Sequence, residues 1–439
     1  MQLTKIMKRF TLLSLLLSLI STTAYSQPET AAFTVIQKRL LKAIEFICSS
    51  GALVPFVAQD LARQLDYLNS EKSISKSPSG HLIERTVLTD PKKGKLLLVK
   101  KNINSQFKTI EIEASALNDM GTKPVMLVRL DSACRIIWAR YIYYNKAGEL
   151  VSLIHLNANL NVTKTREPFN PKVPKGKNYD GISVAHIDSG VNYLLPEFTN
   201  RLARDEHGRI RGWDFWDNDD RPFDINIITS PFFPLHHGTA VASILLREAP
   251  KSNLIPYRYP RPNMAIMANV INAAASAQVR IALLPMGSSR KSEWAIFANA
   301  AKRNQQILFV VSAGNNGRNI DEIPLFPASL TLENIIVVTA ADDFGRLAPD
   351  SNWGAKSVDL MVPGENIEVI DHRGAIGRAS GASFAAPRIA ALAARYLAKN
   401  PLQTTAELKA EILRLAARPR MRGEMRVKAG WIPNPTDHN

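Results

Sequence analysis

The spacing of hydrophobic residues changes along the 439-residue chain and divides it into regions. Residues 30–69 carry apolar side chains at helical spacing, including Leu40, Ile44 and Ile47, which predicts helical structure. Residues 70–80 are rich in Ser, Lys, Pro and Gly. That composition predicts a loop.

Short apolar segments between residues 81 and 160 predict strands. These strands are Leu96–Val99, Thr109–Ile112, Val125–Leu130, Arg135–Tyr144 and Leu150–Leu156. The segment 145–148 joins the last two as a hairpin loop, with Gly148 at the left-handed position. We therefore assign residues 27–165 to a small α+β N-terminal region and the proline-containing segment 166–179 to a linker.

From residue 180 onward, apolar strands alternate with alanine-rich helices. The predicted strands are Ile182–Ile187, Leu254–Tyr257, Arg280–Leu284, Ile307–Val311 and Ile335–Thr339, and the predicted helices are 238–247, 264–278, 291–303 and 383–398. This alternation predicts an α/β domain over residues 180–418, with a mainly parallel twisted sheet and helices on both faces. Such sheets place their sites at the carboxyl ends of the strands.

The N-terminus predicts export of the protein. Basic residues precede the apolar run Phe10–Ile20, and small residues follow at Ala24 and Ser26. This is the pattern of a signal peptide over residues 1–26. The apolar run is too short for a membrane span, and no later segment is predicted to be one. We therefore expect a secreted protein, periplasmic or extracellular, without a stable membrane anchor.

The charge and the cysteines add little about function. The formal net charge is +16, but no nucleic-acid motif or long basic run accompanies it, so we predict no nucleic-acid binding. Export would permit a disulfide between Cys48 and Cys134, although the sequence does not show that they meet.

The tail 419–439 is basic and contains prolines, and we expect it to be poorly ordered. The oligomeric state is not readable from the sequence.

Two polar segments contain candidate catalytic residues, one at the end of a predicted strand and one at the start of a predicted helix. Asp188 follows a buried strand in the segment IDSG, although a structural role is the simpler interpretation of this residue alone. His237 begins a helix in the segment HHGTAVA. His236 competes for a catalytic role, and we favour His237 because it directly precedes Gly-Thr.

Two further segments supply a nucleophile and hydrogen-bond donors. Asn315 lies in SAGNNG after a strand, where its amide could donate to an oxyanion; a simple turn is the alternative. Ser383 lies in GASFAAP at the start of a helix, where N–H groups stabilise an anion; a helix cap is the alternative. Together the four segments contain a serine nucleophile, a histidine to take its proton, a carboxylate to hold the histidine and donors for the oxyanion. These are the groups that serine catalysis requires.

From about residue 178 to residue 418 the chain resembles the subtilisin-like (subtilase) serine peptidases. The resemblance rests on HIDSG, HHGTAVAS, VVSAGNNG and SGASFAAP, and on the order Asp–His–Ser, which separates this class from chymotrypsin-like enzymes. It implies a subtilisin-like three-layer fold and an endopeptidase acting on protein or peptide substrates. The implied catalytic residues are Asp188, His237 and Ser383, with Asn315 in the oxyanion hole and with Met286, Gly287, Ser312, Ala313 and Gly314 binding substrate.

Three positions depart from the family pattern. An insert-like stretch, Ile225–Pro234, separates the Asp and His segments and could shape the cleft. Pro285 stands where the family usually has Ser, and because proline has no N–H we expect the backbone pairing with substrate to differ there. Arg388 replaces the usual His after the proline of the serine segment. It lies outside the triad, and we expect it to matter little.

Two properties of the family remain open here. Its members are usually made with a propeptide, and residues 27–165 are either such a segment or a retained accessory domain. The oxygen-bearing residues of one segment are suited to calcium: Asp214, Asp217, Asn218, Asp219, Asp220 and Asp224. A solvated acidic loop, or one that recognises a basic substrate side chain, explains them equally well, so no metal or cofactor is predicted.

Two other classes of function remain alternatives. One is an inactive binding protein on the peptidase fold, against which the complete set of catalytic segments argues. The other is an envelope-binding protein that acts through its basic surface.

Overall fold

The computed structural model of the chain describes residues 31–49, 56–103, 106–118, 121–261, 263–417 and 426–438. The predicted signal peptide at 1–26 lies outside these ranges. In the part of the chain that is described, none of the helices combines the length and the apolar character needed to span a membrane.

The N-terminal part is an antiparallel meander of eight strands. The strands are β1 (Asn69–Lys76), β2 (Leu82–Asp90), β3 (Gly94–Ile103), β4 (Gln106–Asn118), β5 (Gly121–Asp131), β6 (Ile136–Tyr144), β7 (Leu150–Leu156) and β8 (Val162–Pro168). Each strand pairs with its neighbours in the sequence, in the order β1 to β8. The predicted hairpin between β6 and β7 is confirmed, since Gly148 has a φ of 82° and its N–H donates to the carbonyl of Asn145 at 3.0 Å.

The prediction of a loop over residues 70–80 is wrong for residues 70–76, because Asn69–Lys76 forms β1, and it is confirmed for the turn at residues 77–80. Seven of its eight residues are exposed, so the strand has no apolar periodicity by which it could be recognised. Its position at the edge of the sheet explains this composition, because an exposed polar edge resists pairing with other chains.

Two helices cover one face of the meander. They are α1 (Ala31–Ile47) and α2 (Ala58–Leu65), and Leu40 and Leu61 from them are buried in one apolar cluster with strand residues such as Ile112. Cys48 and Cys134 form a disulfide, with a Cα–Cα distance of 6.0 Å. The disulfide ties the end of α1 to the turn between β5 and β6, and so lies within this part of the chain.

The segment after β8 is packed against the rest of the molecule. Strand β8 itself extends to Pro168, past residue 165. Phe169 is 4% exposed and lies in the apolar cluster of the second sheet. The Tyr193 hydroxyl donates to the carbonyl of Pro171 at 2.6 Å, and the Arg204 guanidinium donates to that of Pro174 at 3.0 Å. Most of the predicted linker is therefore anchored.

A parallel sheet forms the centre of the second part of the chain. Its strands are β9 (Ile182–Asp188), β10 (Trp213–Asp214), β11 (Ser252–Arg258), β12 (Ile281–Leu284), β13 (Leu308–Ser312), β14 (Ile335–Ala341), β15 (Leu360–Pro363) and β18 (Gly430–Trp431). They lie in the order β10-β11-β9-β12-β13-β14-β15-β18. A small antiparallel hairpin consists of β16 (Ile367–Ile370) and β17 (Ile376–Ala379).

Helices cover both faces of this sheet. They are α3 (Pro196–Thr199), α4 (Gly238–Glu248), α5 (Met267–Ser276), α6 (Lys291–Arg303), α7 (Ala382–Lys399) and α8 (Thr405–Arg414). Alternate residues of β9 join different cores: Val184 packs in the cluster of α4 and α7, and Ala185 packs in that of α5 and α6. The predicted three-layer α/β fold with a parallel sheet is therefore confirmed.

The expectation that the C-terminal tail is poorly ordered is wrong for residues 426–438. Gly430–Trp431 forms β18, which pairs in parallel with β15, and Ile432 is fully buried. The backbone N–H of Ala417 donates to the carbonyl of Trp431 at 2.9 Å. The apolar pair Trp431–Ile432 drives this packing, and the basic residues around it concealed the signal.

Candidate active site

Asp188 and His237 are in direct contact at the carboxyl end of the parallel sheet. Asp188 is the last residue of β9 and is 3% exposed. Nδ1 of His237 lies 2.8 and 2.9 Å from its two carboxylate oxygens. Burial alone would lower the pKa of His237, but the charge and hydrogen bond of Asp188, together with the charge of Asp224, outweigh burial, so this pKa lies above its usual value. In this geometry the carboxylate fixes the imidazole tautomer and stabilises the imidazolium.

The start of α4 is held by a buried carboxylate, Asp224. One of its oxygens accepts the backbone N–H of His237 at 3.1 Å and the hydroxyl of Ser189 at 2.6 Å. The other accepts the N–H and the hydroxyl of Thr239, at 2.9 and 2.5 Å. Asp224 therefore caps the helix from a distant part of the chain. Local sequence does not predict this cap, because Asp224 lies 13 residues before His237 and leaves no capping pattern next to the helix.

The neighbouring histidines serve different contacts from His237. Nδ1 of His236 lies 2.6 Å from the backbone carbonyl of Asp224, and the His236 ring stacks on that of His372 at 3.5 Å. Asp188 contacts His237 and not His236, which supports the preference for His237 as the base. His186 is buried in β9, and its Nε2 lies 2.8 Å from the carbonyl of Gly238. Burial lowers the pKa of His186, so this side chain supports the helix start in its neutral form.

Ser383 lies in the first turn of α7 and is 9% exposed. The ring of Phe384 lies 5.9 Å from that of His237, which places the helix start beside the histidine. The Ser383 hydroxyl donates to the carbonyl of Pro285 at 3.2 Å, and among the described residues it makes no hydrogen bond to His237. Such bonds often form only when substrate binds. Rotation about χ1 to another staggered rotamer would redirect the hydroxyl.

Asn315 faces the start of α7 from the loop after β13. Its Oδ1 accepts the backbone N–H of Ala382 at 2.8 Å. Because the oxygen is engaged in this way, the amide NH₂ group is the part left to donate. Asn315 is exposed, so this donor lies at a surface that a substrate can reach.

A second asparagine, Asn352, shapes the loop that carries Asn315. It is fully buried, and its Nδ2 donates to the carbonyl of Ala313 at 2.9 Å. Its Oδ1 accepts the backbone N–H groups of Asn316 and Arg318, at 2.9 and 3.2 Å. Local sequence does not predict these contacts, because the partners lie more than 30 residues away along the chain.

The expected substrate-binding segments lie at the ends of adjacent strands. Met286 and Gly287 follow β12, whereas Ser312 ends β13 and is followed by Ala313 and Gly314. The strands β12 and β13 are parallel neighbours. The structure therefore brings these five residues to the same edge of the sheet as Asp188.

One leucine lies between the two glycines of these segments. A Cβ added to Gly314 would come within 2.4 Å of the Cδ2 atom of Leu325, and one added to Gly287 would come within 3.3 Å of the same atom. The Leu325 side chain therefore fills the space that the two glycines leave open. This contact is not predictable from the sequence, because nothing near residue 325 along the chain places it beside residues 287 and 314.

The structure divides the acidic cluster among separate contacts. Arg258 pairs with Asp214 and Asp217 at 2.8 and 2.6 Å, and Arg221 pairs with Asp219 at 2.5 Å. Asp224 belongs to the helix cap described above. These carboxylates are engaged by Arg258, by Arg221 and by the donors at the start of α4, so we propose no calcium site among them.

One other group of potential metal ligands is found in the described part of the chain: Asp224, His236 and His372. The Asp224 oxygens already accept hydrogen bonds from Ser189, Thr239 and the His237 backbone. The two imidazole planes are inclined by only 10°, so their in-plane lone pairs run side by side and do not meet. This group therefore suits a stacked, hydrogen-bonded cluster better than a metal.

The expectation that Arg388 matters little is wrong, because its side chain connects three parts of the fold. Arg388 is 8% exposed, and its guanidinium donates to the carboxylate of Glu248 at 2.8 Å, the carbonyl of Pro363 at 3.1 Å and the side chain of Asn434 at 2.9 Å. It therefore ties α7 to α4, to β15 and to the C-terminal segment. Burial raises the pKa of Glu248, although Arg388 opposes that shift.

Comparisons with known proteins show what this chain is similar to. The chain is 32% identical over 232 residues to a thermophilic serine proteinase from Bacillus sp. (strain AK1). The aligned region covers 50% of this chain and 52% of that protein. It is 29% identical over 252 residues to alkaline serine exoprotease A from Vibrio alginolyticus. This aligned region covers 55% of this chain and 43% of that protein. The chain thus spans about half the length of these curated relatives.

A crystal structure of a cold adapted subtilisin-like serine proteinase aligns with 61% of this chain and 93% of that protein, at 21% identity and a TM-score of 0.48. The model of the subtilase family matches residues 179–431. This range is more than half of the chain, and it contains Asp188, His237, Asn315 and Ser383. The protein therefore belongs to the subtilase family.

Proposed function

We propose that this protein is an exported serine endopeptidase that acts on protein or peptide substrates through Ser383. The observation that carries the proposal is the two-oxygen contact of Asp188 with Nδ1 of His237, beside the helix that begins with Ser383. With Nδ1 engaged by Asp188, the tautomer is fixed and Nε2 is left to accept a proton. His237 is therefore the residue suited to act as general base.

The reaction follows from these contacts. His237 takes the proton of the Ser383 hydroxyl as its oxygen attacks the peptide carbonyl. Asp188 stabilises the imidazolium that forms, and the Asn315 amide and the Ser383 backbone N–H stabilise the tetrahedral oxyanion. His237 then protonates the leaving amine, which departs and leaves an acyl-enzyme. Water hydrolyses this acyl-enzyme, with His237 again as the base.

Intact mass before and after treatment with an organophosphonate serine probe tests the proposal. We expect one adduct that maps to Ser383 and that is absent from Ser383→Ala and from His237→Ala. The matched control is Ser380→Ala, because that hydroxyl lies in the same loop and accepts the backbone N–H of Asn366. A folded wild-type protein without any adduct would contradict the proposal and favour a binding protein on the peptidase fold.

The same measurement tests export, since a secreted protein is expected to begin at Gln27. The oxyanion role of Asn315 is tested by Asn315→Ala. We expect turnover to fall by about 10²–10³-fold, the loss already known for removal of one such donor from subtilisin itself. Unchanged turnover in this variant would assign Asn315 a purely structural role.

A further inference from the structure

The segment between Asp224 and His236 forms a loop that extends from the peptidase part of the chain and ends at His236 and His237. We call residues 225–235 the His loop. Its two ends are joined by a pair of backbone hydrogen bonds between Asn226 and Leu235, both of 2.9 Å. The base of the loop is therefore rigidly connected to the cap residue Asp224 and to His237.

The tip of the His loop is buried against the N-terminal sheet. Phe232 is fully buried, in the same apolar cluster as Leu127, Ile142 and Leu153 of that sheet. The Phe233 ring meets Trp138 of β6 edge-to-face, with ring centroids 5.1 Å apart. Without the sheet, this pair of phenylalanines would be exposed to water, which is unfavourable.

Arg140 of β6 holds the same tip by a polar contact. Its guanidinium donates to the carbonyl of Phe232. The guanidinium carbon also lies 5.0 Å from the centre of the Phe233 ring and 5.5 Å from that of Trp138. Such cation–π contacts strengthen as they lose water. The N-terminal sheet therefore offers the loop a hydrogen bond and two aromatic contacts as well as apolar burial.

We propose that the N-terminal sheet is a retained, supporting part of the active protein, which holds the His loop and through it positions Asp224 and His237. The proposal rests on the peptidase function proposed above. In it Trp138, Arg140 and Phe233 are positioning residues, because they act on His237 through the loop and touch no reacting atom.

The contacts argue against a removable blocker of the cleft. Within the described residues, no hydrogen bond joins 31–168 to the substrate-binding segments 286–287 and 312–314; the sheet contacts the His loop. The connection after β8 is also anchored, through Phe169 and the carbonyl of Pro171. Removal of residues 27–165 would leave the loop tip without its partner.

The first test uses the full-length exported wild-type protein. It is labelled with the organophosphonate probe, purified by size exclusion without denaturant and measured by intact mass. We expect the labelled form to retain residues 27–168, either in one chain or as a fragment that co-elutes. A labelled protein that begins after residue 168 and has lost this fragment would overturn the proposal while leaving the peptidase function intact.

The second test measures the rate of phosphonylation in variants of the contact. We expect Phe233→Ala and Trp138→Ala to slow labelling about 10–100-fold, the scale of a small misplacement of catalytic groups, with Trp138→Phe restoring most of the rate. The labelled fraction should still reach completion, because a positioning defect lowers the rate whereas unfolding lowers the end point. The pH at which labelling is half-maximal should also shift, since His237 is displaced.

The control is Phe344→Ala. Phe344 also stacks near an arginine, with the guanidinium of Arg346 5.3 Å from its ring, but it is exposed and lies far from the loop in the sequence. We expect its rate to equal that of the wild type. If an aromatic variant does not fold, Arg140→Gln replaces it, because this change removes the guanidinium and leaves the apolar tip in place; its labelling should also slow.

Unchanged or faster labelling in the contact variants would overturn the proposal, and faster labelling would identify the sheet as an inhibitor. A folded wild type that takes no label at all would overturn the proposed function, and this inference with it. The two failures are therefore distinguishable, because only the second removes the adduct from the wild-type protein.

Discussion

The carboxylate of Asp224 accepts the backbone N–H of His237 at 3.1 Å, and its second oxygen accepts two hydrogen bonds from Thr239. Among the described residues, the donors to Asp224 are two backbone N–H groups and two hydroxyl groups. Burial alone would raise the pKa of Asp224, but the nearby imidazole of His372, with further contributions from His236 and the hydroxyl of Ser189, holds it below its usual value. The residue therefore stays an acceptor throughout the range in which a peptidase works.

We expect Asp224→Asn to damage both stability and activity, since the new NH₂ group must face donors. A buried donor without an acceptor costs about 1–3 kcal/mol of unfolding free energy. Urea denaturation and the rate of phosphonylation of Ser383 measure the two effects. Asp371→Asn is the control, because Asp371 accepts two backbone N–H groups in an exposed turn. Equal behaviour of the two variants would contradict the role assigned to the buried cap.

The pKa of His237 gives a prediction about pH. Burial lowers this pKa, and Asp188 together with the charge of Asp224 more than offsets that effect, so activity should rise on the alkaline side of the usual histidine pKa as His237 loses its proton. In Asp188→Asn only the charge of Asp224 still opposes burial, and the rising limb of kcat/KM should move to lower pH. The rate at the plateau should fall by about 10⁴-fold, as known for the same change in another triad. An unmoved limb would mean that another group controls the profile.

Arg388 is expected to matter for stability rather than for chemistry. Arg388→Ala leaves Glu248 buried without its partner, and breaking such a pair costs about 3–5 kcal/mol. Arg346→Ala is the control, since Arg346 pairs with Asp342 while 57% of its side chain is exposed, and such pairs contribute about 0–1 kcal/mol. Unfolding free energies in urea compare the two. An equal loss of unfolding free energy in both variants would show that the buried pair stabilises the protein no more than the exposed pair does.

Leu325 is expected to limit the size of the substrate side chain that enters between Gly287 and Gly314. Leu325→Ala should raise kcat/KM for a peptide with Phe before the cleaved bond relative to one with Ala, by about 10-fold or more. Matched chromogenic peptides measure the ratio. Leu332→Ala shortens a leucine of the same burial and apolar cluster, and should leave the ratio unchanged. If both variants change it alike, general loosening of the core is the cause.

The sequence predicted the parallel sheet well because its strands are buried on both faces. β14, for example, is an unbroken run of seven buried residues, which stands out in any window of the sequence. The candidate catalytic segments were also located from local sequence, since each lies where a strand ends or a helix begins. The predicted pairing of Asp188 with His237 agrees with the structure because both lie at the carboxyl edge of one sheet.

The features that the sequence did not reveal depend on distant contacts. β1 is a polar edge strand that exists because β2 pairs with it along its full length. Asn352 acts on a loop 34–39 residues before it, and Arg388 gains its importance from a glutamate 140 residues away. None of these partners can be chosen from spacing or composition, because many polar residues in the chain would serve equally well.

The connectivity of the two sheets has a consequence for the order of folding. Every strand of the N-terminal meander pairs with the next one along the chain, so its contacts close short loops. The parallel sheet needs distant partners, such as Leu360 with Gly430. Local pairing is the faster process, and the N-terminal part leaves the ribosome first. The face that carries Trp138 and Arg140 is therefore expected to form before residues 225–235 pack onto it, so that the segment of His237 folds onto a surface that is already complete.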